Sequence, residues 1–208
     1  MAFNIFKGRN SDSPEESFWQ WFQLNEALLY DFESNQDATL KMLSKALKKV
    51  HPDLTYELSP ITDDGKREFV ISADGFKDAF PSVESLYSKA PELNRWIIIK
   101  YRQRRSIGHI LKFGGQSVDG ENIKYLMLEE EDPKKVGIVL FIPGYTDQER
   151  EAFLGIGFIF LDHALGEYDV VTRVGMIEFL GIDSEHCEKA KPLSELPTQF
   201  DYYFSPLN

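Results

Sequence analysis

The sequence predicts an α+β fold: an N-terminal αα-hairpin, then two ββαβ units forming mixed, largely antiparallel sheet with helices packed on it. Three observations carry that prediction. Apolar residues from Phe18 to Val50 recur at helical spacing in two runs, Asp64-Gly65 marks a hairpin between two strand-like runs, and a strand, strand, helix, strand order then appears twice.

The first dozen residues are polar and expected to be loose. Ser13, Pro14 and Glu16 form a capping-box pattern that starts a helix at Pro14. Along it Phe18, Trp21, Phe22, Asn25, Leu28, Leu29 and Phe32 share a stripe, whereas Trp19 points about 160° away from Trp21 at 100° per residue. Trp19 therefore needs another neighbour: a covering aromatic from the C-terminal tail, or a partner for which it would be the interface anchor. After "SNQD", Leu40, Leu43, Leu47 and Val50 mark a second helix with Lys41, Lys45, Lys48 and Lys49 outside, ending at "HPD" because a residue before proline avoids helix. These two helices are the hairpin, residues 13–50.

"LTYELSP" and "REFVISA" read as paired strands, "FPSVESLYSKA" as a short helix, and "RWIIIKY" as a strand apolar on both faces and so expected at a sheet centre. A less regular stretch around "GHILKFGGQSVDG" follows. "KYLMLEE" and "VGIVLFI" are strands around the acidic turn "EDPKK", and "TDQE" suggests a capping box at Thr146 and Glu149. A helix then runs to Leu165, and "YDVVTRVGMIEFL" reads as a last strand. The expected organisation is one domain over 1–208 with similar halves at 54–102 and 123–179. The tail reads as irregular, pinned by Phe200, Tyr202, Tyr203 and Phe204.

Charge divides unevenly. Residues 1–113 hold 16 Lys+Arg and 16 Asp+Glu, and the whole-chain totals of 23 and 34 leave 7 and 18 for residues 114–208. The net charge of -11 thus lies entirely in the C-terminal half, a sign that repels phosphate backbones, so no nucleic-acid ligand is expected and a basic protein is the partner it would suit. Single Cys187 forbids an internal disulfide, "MAFNIFKGRN" lacks a secretory pattern, and the longest uncharged apolar run, 152–161, falls short of the roughly 20 residues a membrane span needs. The expectation is a cytoplasmic protein that does not bind membranes.

Catalytic signatures are missing: there is no G-x-S-x-G, phosphate loop, dinucleotide turn, H-E-x-x-H or C-x-x-C pair. "GIG" at 155–157 falls mid-helix, where glycine suits close packing better than ligand approach. Two clusters can carry chemistry. Asp162, His163 and Glu167 could form an acid/base couple, although Gly166 is a C-cap signal that would take Glu167 off the helix face and leave His163 complementing the helix dipole. Arg95, Lys100, Arg102, Arg104 and Arg105 form a cationic run, and Trp96 shares a strand face with Lys100 and Arg102, so Trp96, Arg102, Arg104 and Arg105 could bind an anion or simply face solvent. Asp74, in "SADGF", lies at a strand end and reads as a ligand-binding candidate or a turn. Neither a metal nor a cofactor is expected, since His51, His109 and His186 have no ligand spacing.

The motifs "FWQWF", "ISADG", "FPSVESLYSKAPELNRW", "YRQRR" and "LDHALGEYD", in this order over Phe18 to Val171, resemble a family of uncharacterised bacterial proteins. The resemblance implies a bacterial protein and brings no activity, cofactor or catalytic residue. The function expected is a non-enzymatic interaction domain with an acidic C-terminal half. The alternative is a small-molecule binding protein or hydrolase with its site between Arg102/Arg104 and the Asp162-His163-Glu167 corner.

Overall fold

Ser13 starts the first helix in the way its sequence demands. Its hydroxyl accepts from the Glu16 N–H while the Glu16 carboxylate accepts from the Ser13 N–H, the reciprocal pair of a capping box. The computed structural model describes residues 12–205, so the expectation for 1–11 lies outside the described residues. The described residues divide into two compact units, 12–74 with 78–100 and 75–77 with 101–205.

In unit 1, α1 (Pro14–Leu24) ends at Asn25, α2 (Glu26–Tyr30) restarts at once, and α3 (Gln36–Leu47) follows a short 3-10 turn. The predicted hairpin is therefore a three-piece helical segment. The break at Asn25 resets the helical phase: Phe18, Phe22 and Leu29 keep to the core, while Leu28 comes out to 45% exposure. On α3 Leu43 and Leu47 are fully buried and Lys41 and Lys45 are exposed, as are Lys48 and Lys49 just past its end. The strands β1 (Thr55–Leu58) and β2 (Arg67–Ser72) pair antiparallel across Gly65, which sits at φ 75° in the Asp-Gly turn. Helix α4 (Phe80–Ser88) carries the chain to β3 (Trp96–Lys100), which runs parallel to β2. The order β1-β2-β3 makes β2 the central strand. The expectation that the apolar 96–100 run is central is thus corrected: a crossover helix can place such a strand at the edge, and Ile97 is 38% exposed there.

An aromatic cluster joins the helices to this sheet. Phe22 lies 5.2 Å from Phe69 and 5.0 Å from Trp96, ring centre to ring centre, and Trp19 donates its indole N–H to the Leu86 carbonyl at 2.8 Å. At the start of α1, Glu15 is held well below the usual carboxylate range, at about 2, by its own backbone N–H first and by Ser13, Ser85 and Lys89, against opposing desolvation. A lowered folded pKa means stabilisation that is complete above the ordinary value and is lost as pH falls from there towards about 2. With the side chain partly exposed, that contribution is about 1 kcal/mol. Thermal melts should show Glu15→Gln less stable than wild type at neutral pH and the gap closing at about pH 2. A gap independent of pH would contradict the assignment.

Unit 2 begins with a hairpin, β4 (Ile110–Phe113) and β5 (Gln116–Asp119), turning through Gly114 and Gly115 at φ 57° and 84°. This is the stretch read as irregular. Next come β6 (Lys124–Glu129), β7 (Val136–Ile142), the long α5 (Arg150–Leu165), α6 (Glu167–Arg173), β8 (Val174–Gly181), a two-residue β9 (Lys191–Pro192) and α7 (Leu196–Phe204). Their sheet has the order β8-β7-β6-β9, with β6 and β7 antiparallel and β7 and β8 parallel. Both units thus contain a β-β-α-β run whose first two strands pair antiparallel and whose last strand pairs parallel to the second.

Two further readings are corrected. Residues 168–173 are helical, because Gly166 lets the chain turn and restart with Glu167 and Asp169 in the first turn, so β8 begins only at Val174. The tail contains a helix, α7, that buries Phe200 and Phe204 and leaves Tyr202 81% exposed. At "TDQE" the Thr146 and Glu149 side chains bond to each other, and a 3-10 turn precedes α5 without a side-chain cap. The mid-helix glycines do permit close packing: a Cβ at Gly155 would overlap the Phe113 ring, and one at Gly157 the Phe179 ring.

Candidate functional site

The corner after α5 is built from the helix's own unsatisfied carbonyls. A helix end leaves its last four C=O groups without intrahelical donors. Here the Gly166 N–H, at φ 82°, reaches the Asp162 carbonyl at 2.8 Å, the Arg105 N–H reaches the His163 carbonyl at 2.8 Å, and the Arg104 Nε reaches the Leu165 carbonyl at 2.9 Å. The segment 102–105 is therefore a cap laid across the C-terminus of α5, where positive charge also complements the helix dipole.

The side chains of the corner are engaged in the same task. Glu167 is fully buried, and its carboxylate accepts the Arg102 N–H at 3.0 Å and the Gly75 N–H at 3.3 Å, while its own N–H donates to the Arg102 carbonyl at 2.9 Å. Asp162, 8% exposed, pairs with Arg102 at 3.3 Å. Arg104 makes a two-pronged bond to Asp201 on α7, both contacts 2.8 Å, and a third to Asp169 at 3.2 Å. The Asp201 hydrogen bonds raise the Arg104 pKa, and the same bonds hold the Asp201 carboxyl below its ordinary value. His163 is half-buried with its ring 5.2 Å from His109 and 6.2 Å from Phe160, centre to centre.

The structure thus brings Asp162, His163, Glu167, Arg102, Arg104 and Arg105 into one region of unit 2, with Glu167 beyond the helix end as Gly166 foretold. A depression of about 330 Å³ lies there, lined by Arg102, Arg104, Gly166 and Asp169 among others. Its guanidinium groups face carboxylates of the same unit, so it offers an incoming anion no uncompensated positive charge at Arg102 or Arg104.

The remaining candidates belong to unit 1. Trp96 is 5% exposed, packed against Phe22 and Tyr30, and so is a core residue. Asp74, at φ 52°, donates its N–H to the Ser72 hydroxyl at 3.0 Å in a turn. Trp19, the interface candidate, is 3% exposed and donates its indole N–H to the Leu86 carbonyl on α4.

A second region escaped the sequence reading. Where β6 turns into β7, Leu128 and Met176 flank a hollow of about 700 Å³, with Gly137 and Gly175 behind them and Glu129, Glu130, Glu131 and Asp132 along the rim. Leu128 is 39% and Met176 41% exposed. Glu130 bonds the Met176 N–H and occupies the notch that the missing Gly175 side chain leaves. The signal was the run "LEEED", but only folding reveals that β8 brings Met176 beside it.

Among the described residues, no group of three or more His, Cys, Asp or Glu is placed to hold a metal, and no helix is long and apolar enough to cross a membrane. Comparison with family models, curated proteins and solved structures found no match.

Proposed function

We propose that this chain is a non-enzymatic, cytoplasmic protein-interaction module of bacterial type that binds a basic partner protein through the acidic surface of unit 2. One observation carries the reading. Glu129 and Glu131 are exposed beside Leu128 and Met176 and their carboxylates make no hydrogen bond or ion pair with the described residues, so they are charges at a surface with apolar area to bury. The acid and base groups of the α5 corner, by contrast, are spent on capping and internal ion pairs. Buried, unpaired Cys187 suits a reducing compartment. The anion-site or hydrolase alternative at Arg102, Arg104, Asp162, His163 and Glu167 has weaker support, because Arg102 pairs with Asp162, Arg104 pairs with Asp169 and Asp201, and Glu167 accepts two backbone N–H groups.

The test is recovery of a partner from the source cells, followed by titration with the purified partner at low and high salt. A partner with a basic surface whose affinity falls as salt rises supports the reading. Failure to recover one, together with turnover of a small molecule by the purified protein, would refute it.

A further inference from the structure

We propose that unit 1 carries a separate docking site, a groove between α1 and α3 that takes an acidic, amphipathic helix of a partner protein. The groove is independent of the acidic surface of unit 2, so its test and the partner titration above fail or succeed separately. It holds about 340 Å³, with Pro14, Ser17, Phe18 and Trp21 of α1 along one side and Ala46 and Lys49 along the other. Side chains three and four positions apart on a helix are neighbours, so the four residues of α1 form a continuous wall. Ala46 offers only a methyl group to the space they face. One turn beyond Trp21 the apolar surface continues, since Leu24 is 87% exposed. Asp12 also borders the groove, and its carboxylate accepts from the Gln20 side chain at 3.1 Å.

Charge selects the occupant. Lys41 and Lys45 stand one turn apart on α3, Lys48 and Lys49 follow, and Lys49 is itself part of the groove wall. All four are exposed, and their ammonium groups make no hydrogen bond or ion pair with the described residues. The carboxylates at the start of α1 are engaged elsewhere: Glu15 bonds to Ser85 and Lys89, and Glu16 closes the capping box with Ser13. An apolar groove bordered by uncompensated cations is complementary to apolar side chains flanked by carboxylates. On a helix, carboxylates one turn apart meet lysines one turn apart, while leucines at the same spacing enter between Trp21 and Ala46. A phosphate polymer would supply negative charge but no apolar side chain to fill the groove, and the net charge of -11 repels it.

Trp21 reports on occupancy, because Trp19 and Trp96 are only 3% and 5% exposed whereas Trp21 is half-buried at the groove. The probe is a helical peptide of glutamate and alanine with leucines one turn apart, titrated into the full chain. Anisotropy of a labelled copy and tryptophan emission with an unlabelled one should show binding with a blue shift. Combining Lys45→Glu with Lys49→Glu should weaken binding about tenfold. Ser17→Phe, which fills the groove from an exposed position, should do the same, as should leucine-to-alanine replacement in the peptide. Circular dichroism checks that the variants keep the wild-type fold. Loss on charge reversal without loss on Ser17→Phe overturns the groove as the site, and failure of the peptide to bind overturns the proposal outright. A single-stranded oligonucleotide that competes as well as the peptide overturns the protein assignment. Self-association of the chain in sedimentation, abolished by the lysine changes, places a second copy in the groove and overturns the separate partner.

Discussion

Replacing Glu167 with alanine should lower the stability of unit 2 by about 3 kcal/mol, because it strands two backbone donors in a place water does not reach. The buried carboxylate accepts from Arg102 and Gly75, and nothing in an alanine side chain can replace either bond. Glu167→Gln keeps one carbonyl oxygen and should cost less, about 1 kcal/mol. For a chain of this length the alanine variant's melting temperature should fall by roughly 6 to 12 °C. The measurement also separates the two readings of the corner. A scaffold carboxylate gives a folding defect that follows the number of lost acceptors, whereas an acid/base residue would give a variant of wild-type stability with a lost reaction.

The second large effect lies in unit 1, at a residue the sequence did not single out. The Arg67 side chain is fully buried, bonds both oxygens of Glu33 at 2.9 Å, donates to the Ser59 carbonyl, and stacks its guanidinium 4.5 Å from the Phe32 ring centre. Glu33 itself is 55% exposed, so the asymmetry of the pair matters. Glu33→Ala leaves a buried cation without its counter-charge and should cost about 3 kcal/mol. Adding Arg67→Met to that variant removes the stranded charge and fills the volume with apolar atoms, so the double variant should be more stable than Glu33→Ala alone. Denaturant unfolding of the three proteins decides it. A double variant less stable than Glu33→Ala would mean that the guanidinium's bonds to Ser59 and its stacking outweigh the cost of burying it.

The same contrast between local and distant causes explains what the residues revealed beforehand. The α+β class, the Ser13 cap, the Asp64-Gly65 hairpin and the Gly166 helix stop all depend on groups within four residues of each other, and each is present as the pattern implied. Residues 168–173 went astray because Val170 and Val171 favour strand locally, while the turn at Gly166 and the packing of Val170 into the core favour helix. The Gly114-Gly115 hairpin had a strong local signal in its two glycines and was overlooked beside the cationic run before it.

At the candidate site the residues Asp162, His163, Glu167 and Arg102 to Arg105 were legible as a set, but their purpose was not. Whether an arginine faces solvent, an anion or a helix terminus depends on partners about 60 to 100 positions away, such as Leu165 and Asp201 for Arg104. The hollow beside β8 was illegible for the same reason, since Leu128 and Met176 are neighbours only after β7 has placed β8 alongside.

From the sequence alone came the α+β class, the Ser13 helix start, the Asp64-Gly65 turn, the Gly166 helix stop, the acidity of residues 114–208 and the want of a familiar catalytic motif, because helix caps, glycine turns and side-chain periodicity act over a few bonds. The tertiary structure alone decided that β2 and not β3 is central, that the arginines cap α5, and that an apolar hollow opens beside acidic side chains. Those outcomes follow from burial and charge pairing between distant segments, which no local pattern encodes.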